Sequence, residues 1–543
     1  MENKKEKNEF WLDTLSEQIL EKHTKEKIYH LSCGLSIRGP QHIGRLRGEL
    51  CIPSSVKKIL EQKHKKKAVH YIVIYDMDGM KPNGVTIGFP NDPDKQKKYT
   101  GVSLFNIPDP YGCCKNWQEH FWKDFGDYLE DFGFKVEIVK TSEFYKMPET
   151  KKVVKYILEN REKVVKFINQ FRERNPWPED FIPINPTCNK CLSIMDTTAT
   201  GFDLKKYTVD YECKRCSDKG TVSLEKSKLN WRLEWPTLWK VLHIEFEPYG
   251  KDHASAGSSR ETCGRFAKEI LGYEPPLGEW NEWVAIKIKG EDKGEMTASG
   301  FVGITPKQWL EIAEPEVLKY LYIRTRPHTK MTLDMDKIPD YYDDYNKGER
   351  IFYGKEKTDE REEYNIKKSF ELSQIRKIPS KMQFQFAFSF AAQLTQIFPE
   401  KKKTESVIEI LKKIKQLKGK PTEFEKDRIE KRLELAKTWL EKYASDRFKF
   451  KIVDKLDEKI KGELSNEQRA ALKDFGKFLE KRRKDDEIIN KIKELASAHS
   501  MTTTDIFKIA YIVLIGKDHG PRLIPLIQSL DRDFVVKRFK LEK

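Results

Sequence analysis

The chain has 543 residues, and its 102 Lys and Arg outnumber 86 Asp and Glu to give a formal net charge of +16. At roughly 150 residues per domain this length predicts about three or four domains, which excludes one small binding module as an account of the whole. The basic excess favours an anionic partner such as RNA, with a plain solvated charged surface as the alternative.

No run approaches about 18 uncharged apolar residues, and the segment after Met1 lacks the apolar stretch of a signal peptide. A cytoplasmic protein without a membrane partner is therefore expected. Nine cysteines form no small-protein disulfide pattern, in keeping with reduced thiols.

In chain order, residues 28–34 read as a strand giving way to a glycine-rich turn, and 70–76 as a second apolar strand ending in Asp76. Between them Gly39, His42, Gly44, Arg45 and Arg47 suggest a loop leading into a helix. Repeated strand, loop and helix predict a parallel α/β domain with its ligand crevice beyond the carboxyl ends of the strands. Residues 112–172 carry two helical stretches. The prolines 176, 178, 183 and 186 then end the helical pattern, because proline removes an amide donor and restricts the residue before it. An insertion follows, and residues 241–250 resume the α/β pattern as a buried strand running into a loop. From about residue 365 the period is helical: Val407, Ile410, Leu411, Ile414 and Leu417 form one apolar stripe. Ile488, Ile489, Ile492 and Leu495 form another, and Ile506, Ala510, Tyr511 and Leu514 a third.

Three constellations carry chemistry. Cys188-x-x-Cys191 and Cys213-x-x-Cys216 are two knuckles whose four thiolates suit one tetrahedral zinc at about 2.3 Å, with free cysteines as the alternative. Four thiolates leave no open coordination place, so the metal would be structural. His42-Ile43-Gly44-Arg45 can put an imidazole at a helix mouth that favours phosphate, or be ordinary turn packing. The stretch 246–262, with Gly250, Gly257 and many polar groups, reads as a ligand loop, since such residues are costly in a core.

These segments resemble class I lysyl-tRNA synthetases of the archaeal type. The resemblance rests on His42 to Arg45, Tyr75 to Gly79, Ile107 to Cys113, Trp231 to Pro236, Gly250 to Ala254, Glu314 to Glu316, Thr325 to Pro327 and Gly516 to Arg522, in that order over nearly the whole chain. It implies an interrupted Rossmann catalytic domain (1–145 and 236–300), a connective insertion with zinc knuckles (146–235), a stem-contact region (301–364) and a helical anticodon-binding domain (365–543). It also implies lysine activation by ATP with magnesium, then transfer to the 3′ end of lysine tRNA, by a monomer. By this correspondence His42, Arg45, Lys251 and His253 serve catalysis. Gly34, Gly39, His42, Gly44, Gly250, Asp252, His253, Thr297 and Ser299 bind the nucleotide, and Gly34, Ser36, Trp235 and Arg260 bind the amino acid.

The chain departs from the family pattern at several of these points. The mobile KMSKS-type loop reads Glu295-Met296-Thr297-Ala298-Ser299-Gly300, so glutamate replaces the leading lysine and would oppose pyrophosphate. Ile37 and Arg38 replace proline and serine, Arg45 ends the first signature, and Arg260 replaces an aromatic residue. An arginine there would repel the ammonium of lysine unless it points away or a carboxylate compensates. Arg38 and Arg45 are candidates to replace lost phosphate contacts. A synthetase-like tRNA-binding protein with impaired or lost catalysis is the competing reading.

Overall fold

The computed structural model describes residues 10–255, 257–298, 300–398 and 403–542. Its centre is a four-stranded sheet in the order Glu137–Lys140, Lys67–Ile74, Ile28–Leu35, Ile244–Phe246, with every pairing parallel. The strands at the middle are largely buried: Leu31, Cys33 and Leu35 cover one face of theirs, with Ser32 and Gly34 on the other, and Ile72, Val73 and Ile74 bury both faces of the next. This is the pattern of a parallel sheet covered on both sides. The helix Ile52–Gln62 connects the first two strands, entered through a π-helical turn over Leu46–Cys51. That wider turn follows directly after His42 to Arg45.

Between the third and fourth strands lies the insertion. Helices Pro148–Glu159 and Arg161–Asn169 lead to an antiparallel sheet of Thr197–Asp203, Thr208–Cys213 and Lys219–Ser223. Val154, Ile157, Val165, Tyr211 and Leu229 pack these elements into a core that also takes in Val73 of the parallel sheet and Phe266. The helix Trp231–Val241 returns the chain to the sheet although Pro236 lies inside it. A proline there leaves the carbonyl four residues back without its helical donor, and the Cys263 thiol fills that place, 3.6 Å from Arg232 O.

Beyond residue 280 the chain forms a small sheet, Glu291–Glu295, Val284–Ile288 and Met331–Asp334, and then becomes helical from Ile338 onward. The helical part packs in two portions. Residues between Phe370 and Ala444 share the core of the parallel domain, whereas Phe450 to Phe539 enclose a separate one. The expected stripes face these cores except at Ile489, which is exposed; Ile414 is partly buried against the first core. No described helix is long and apolar enough to cross a membrane.

Candidate active site and metal centres

The loops after the first strand, the helix Trp231–Val241 and the turn Lys251–His253 meet beyond the carboxyl end of the sheet, where a parallel α/β fold has its crevice. Gly34 faces the Tyr75 ring so closely that a Cβ would stand 2.5 Å from it. Tyr75 meets Trp231 edge-on at 5.2 Å, Trp231 stacks on Trp235 at 5.0 Å, and His253 lies 5.4 Å from Trp235. Gly34, Trp235 and His253, separated in sequence, thus share one aromatic wall.

Below that wall is a buried ionic network that the sequence did not announce. Asp78 accepts from Ser36 Oγ at 2.7 Å and Arg38 Nη2 at 2.8 Å, and it pairs with Lys228 Nζ at 3.2 Å. Lys228 is also bonded to Glu234, whose other oxygen accepts from Tyr145 OH at 2.9 Å. Burial alone would push Asp78 up, but Lys228 and Arg38 hold it below the usual carboxylate range. Arg38 is thus held on the Asp78 carboxylate within this network.

At the neighbouring mouth His42 is buried, with Nδ1 lacking any hydrogen-bond partner. Burial, reinforced by Arg45, pushes its pKa down to about 3, so the ring is neutral at physiological pH. A Cβ on Gly44 would lie 2.9 Å from His42 Nδ1 and 3.3 Å from Met296 Sδ. Gly39 similarly makes room for Ala298 O, and Ile43 N donates to Ile304 O at 2.8 Å. The segment after Glu295 is thereby docked on the His42–Arg45 turn, closed by the bridge between Thr297 and Val302. Ser299 lies outside the described residues. Arg45 donates to Glu49 at 3.0 Å. Arg47 donates to Arg326 O at 2.7 Å and Thr329 O at 2.9 Å, so it braces this region from within instead of adding charge to the mouth.

Gly250 pairs with Asn281, which sets the turn carrying Lys251, Asp252 and His253 against residues 281–283. Asp252 and His253 approach at 3.5 Å. Arg260 points into a box formed by Trp239 at 4.5 Å, Tyr249 at 5.0 Å and Trp235 at 5.5 Å. Glu247, fully enclosed nearby, accepts both indole N–H groups of Trp235 and Trp239. Burial pushes Glu247 up and Arg260 down, and each opposes the other's shift. The compensating carboxylate that an arginine at this place requires is therefore present.

Two clusters have the donor sets of metal centres. In the insertion Cys188, Cys191, Cys213 and Cys216 bring their sulfurs within 4.8 Å of one another. The knuckles have matching backbones: Leu192 N donates to Cys188 O and Ser217 N to Cys213 O, with Leu192 and Ser217 both left-handed at φ of 59° and 57°. This arrangement fits a tetrahedral thiolate site. A second cluster joins Asp109, Cys113, Cys114 and His120. His120 Nδ1 is 3.1 Å from Asp109 and 3.3 Å from Cys113 Sγ, while the Asp109 carboxylate is fixed by the amides of Tyr111 and Cys114. The spacing Asp-x3-Cys-Cys-x5-His was its only sequence signal, and it is too irregular to read without the turn that folds it.

A parallel α/β domain with this mouth, split by a thiolate-bearing insertion and followed by helices, matches the family described as tRNA synthetases class I (K) over residues 9–376. What the fold and site define is thus a class I aminoacyl-tRNA synthetase. The chain is 35% identical to a lysine–tRNA ligase of Aeropyrum pernix, covering 98% of this chain and 97% of that one. It is 31% identical to lysine–tRNA ligases of Methanocaldococcus jannaschii and Pyrococcus horikoshii, in each case over 98% of this chain and 99% of the relative. The chain belongs to the lysine family of class I tRNA synthetases.

Proposed function

We propose that the protein is a lysine–tRNA ligase that forms lysyl-adenylate from lysine and ATP and transfers the lysyl group to the 3′ end of lysine tRNA. The observation that carries this reading is that Gly48, just after His42 to Arg45, abuts Asn281, the strand partner of Gly250, so the turn that carries His253 and its aromatic wall is anchored beside the phosphate-type mouth. An amino acid lying along that wall would bring its carboxylate toward the α-phosphate of a nucleotide at the mouth. In the first step a carboxylate oxygen bonds to the α-phosphorus as pyrophosphate leaves. In the second a ribose hydroxyl attacks the adenylate carbonyl, and AMP departs.

The chemistry needs fixed donors and cations more than a protein nucleophile. Neutral His42 can offer one N–H to a phosphate oxygen without the cost of holding a buried charge. Lys251 supplies the nearby cation, and Asp252 and His253 border the adenylate. Magnesium would accompany ATP. The cysteines 188, 191, 213 and 216 would hold zinc, which closes the insertion's knuckles. Asp109, Cys113, Cys114 and His120 have the donors for a second ion that would fix the loop before the helix Trp117–Gly126.

Residues 301–364 suit contact with the acceptor stem and 365–543 suit the anticodon. A cleft of about 1600 Å³ in the helical region supports the latter: Arg447, Lys481, Arg482, Arg483 and Arg522 line it beside Phe448 and Phe450. Cations track a phosphate backbone and aromatic rings stack on unpaired bases. The test is lysylation with ATP, magnesium, each standard amino acid and tRNA together. A lysine ester at the terminal adenosine is expected. Tight tRNA binding without ATP consumption or acylation would instead establish the noncatalytic reading.

A further inference from the structure

Lys251 stands between two carboxylates from one distant segment. Its Nζ is 3.0 Å from Glu282 Oε2 and 3.2 Å from Glu295 Oε1, and it lies 4.6 Å from the centre of the Trp283 ring. The two acids differ in setting. Glu282 has a side chain only 13% exposed, and its backbone is tied by Glu282 N to Pro327 O and by Arg47 to Glu282 O. Glu295 is 41% exposed and ends the strand Glu291–Glu295, whose pairing with Val284–Ile288 contains a register shift. The next residue, Met296, is packed against Gly44 at the proposed phosphate mouth.

We infer that Lys251 is the cation for the phosphate end of this site, that Glu282 positions it, and that Glu295 is a placeholder exchanged for a phosphate oxygen. This rests on the reading of the mouth given above. An incoming polyphosphate cannot add to an ammonium already flanked by two carboxylates without meeting their repulsion. The carboxylate in water is the cheaper one to release, because its charge is resolvated when the pair opens. The enclosed Glu282 and the Trp283 face would keep the ammonium oriented during the exchange, sparing the rotamer freedom that a lone lysine would lose on binding. Glutamate at position 295 thereby coexists with a working cation: the charge is carried by the turn after Gly250 instead of the loop after Glu295.

The two acids should act in opposite directions. Calorimetric titration of the full chain with inorganic pyrophosphate and magnesium provides the readout. Glu295→Gln is expected to tighten pyrophosphate about twofold to fivefold, the range of one exposed ion pair. Glu282→Gln is expected to weaken it about fivefold or more, and Lys251→Met about tenfold or more, since each disturbs a charge-assisted contact. In the Lys251→Met background neither acid variant should change affinity further, a result that a general effect of charge or folding would not give. Tighter binding by both acid variants, weaker binding by both, effects that persist without Lys251, or no pyrophosphate binding by the wild-type chain would each overturn the inference. Lysylation assayed in parallel separates the two readings: loss of acylation with these binding effects intact counts against the ligase reading alone.

Discussion

Glu247 shows how one enclosed side chain governs its neighbours. Its carboxylate takes the indole N–H groups of Trp235 and Trp239, and Arg260 lies over the rings that those bonds fix. Arg260→Met would keep the volume but leave Glu247 without a cation. The attraction that offsets the burial of Glu247 would be lost, and Trp235 should lose its fixed orientation as well. The expected outcome is a lower denaturation midpoint and a raised KM for lysine, with the KM for ATP little changed. Steady-state kinetics with each substrate varied in turn checks this.

Three histidines make a second residue-scale case. Burial pushes His23 down to about 4 and both His42 and His70 down to about 3. Their unfolded values lie near 6.5, so below that pH the unfolded chain binds more protons than the folded one. Stability contributed by these neutral rings is complete above about pH 6.5 and is lost as pH falls toward the folded values. Each contributes a slope of about 1.4 kcal/mol per pH unit inside that window. His70→Phe, away from the proposed site, should reduce the slope of denaturant stability against pH between 4.5 and 6. An unchanged slope would show that His70 protonates freely in the native state.

At the scale of elements, the insertion and the loop before Trp117 each bring together metal-type side chains from turns and from the end of a strand or the start of a helix. The reconstituted protein is expected to carry two equivalents of transition metal. Cys213→Ser should remove one and loosen the insertion, while Cys113→Ser should remove the other and leave the knuckles filled. Elemental analysis with limited proteolysis distinguishes these sites, and a wild-type stoichiometry of one would eliminate the Asp109 centre. Among the helices, Glu423–Lys442 is joined to the segment that follows the parallel domain by Arg432, which donates to Glu314 at 2.8 Å and to Phe386 O at 2.7 Å and stacks on Tyr342 at 4.2 Å. Arg432→Leu should destabilise the chain by about 3–5 kcal/mol, because Glu314 would keep its charge in a half-enclosed place with its guanidinium gone. Urea unfolding measures the loss directly.

Over the whole molecule, the helical portion divides between two cores, and the basic cleft lies where they adjoin: Ala387, Phe390 and Trp439 come from the first and Leu479, Ile488 and Leu530 from the second. Contacts there would read both the shape and the charge of an RNA loop. Replacing Lys481 and Arg482 by glutamate should weaken binding of lysine tRNA and lower the dependence of log K on log salt, since fewer counterions are then released. An unaltered affinity and salt slope would remove this cleft from the RNA path.

Several features follow from the sequence alone because they depend on local pattern. The apolar runs at 28–34 and 70–76, the break at the prolines after residue 175 and the stripes at Val407, Ile488 and Ile506 are set by side-chain period and backbone chemistry. The paired Cys-x-x-Cys spacing is equally local, and the ordered signatures sufficed to indicate the family. The partners of charged groups are different, because they are fixed only when distant segments meet. Glu295 reads in the sequence as repulsion toward pyrophosphate, yet it faces Lys251. Arg38 reads as a candidate phosphate contact, yet Asp78 engages it, and backbone carbonyls engage Arg47. Asp109 and His120 read as unrelated until one turn joins them. Hydrophobic period is a property of neighbouring residues, whereas the work done by a charge depends on its solvent exposure and on the opposite charge brought beside it, which the tertiary fold alone decides.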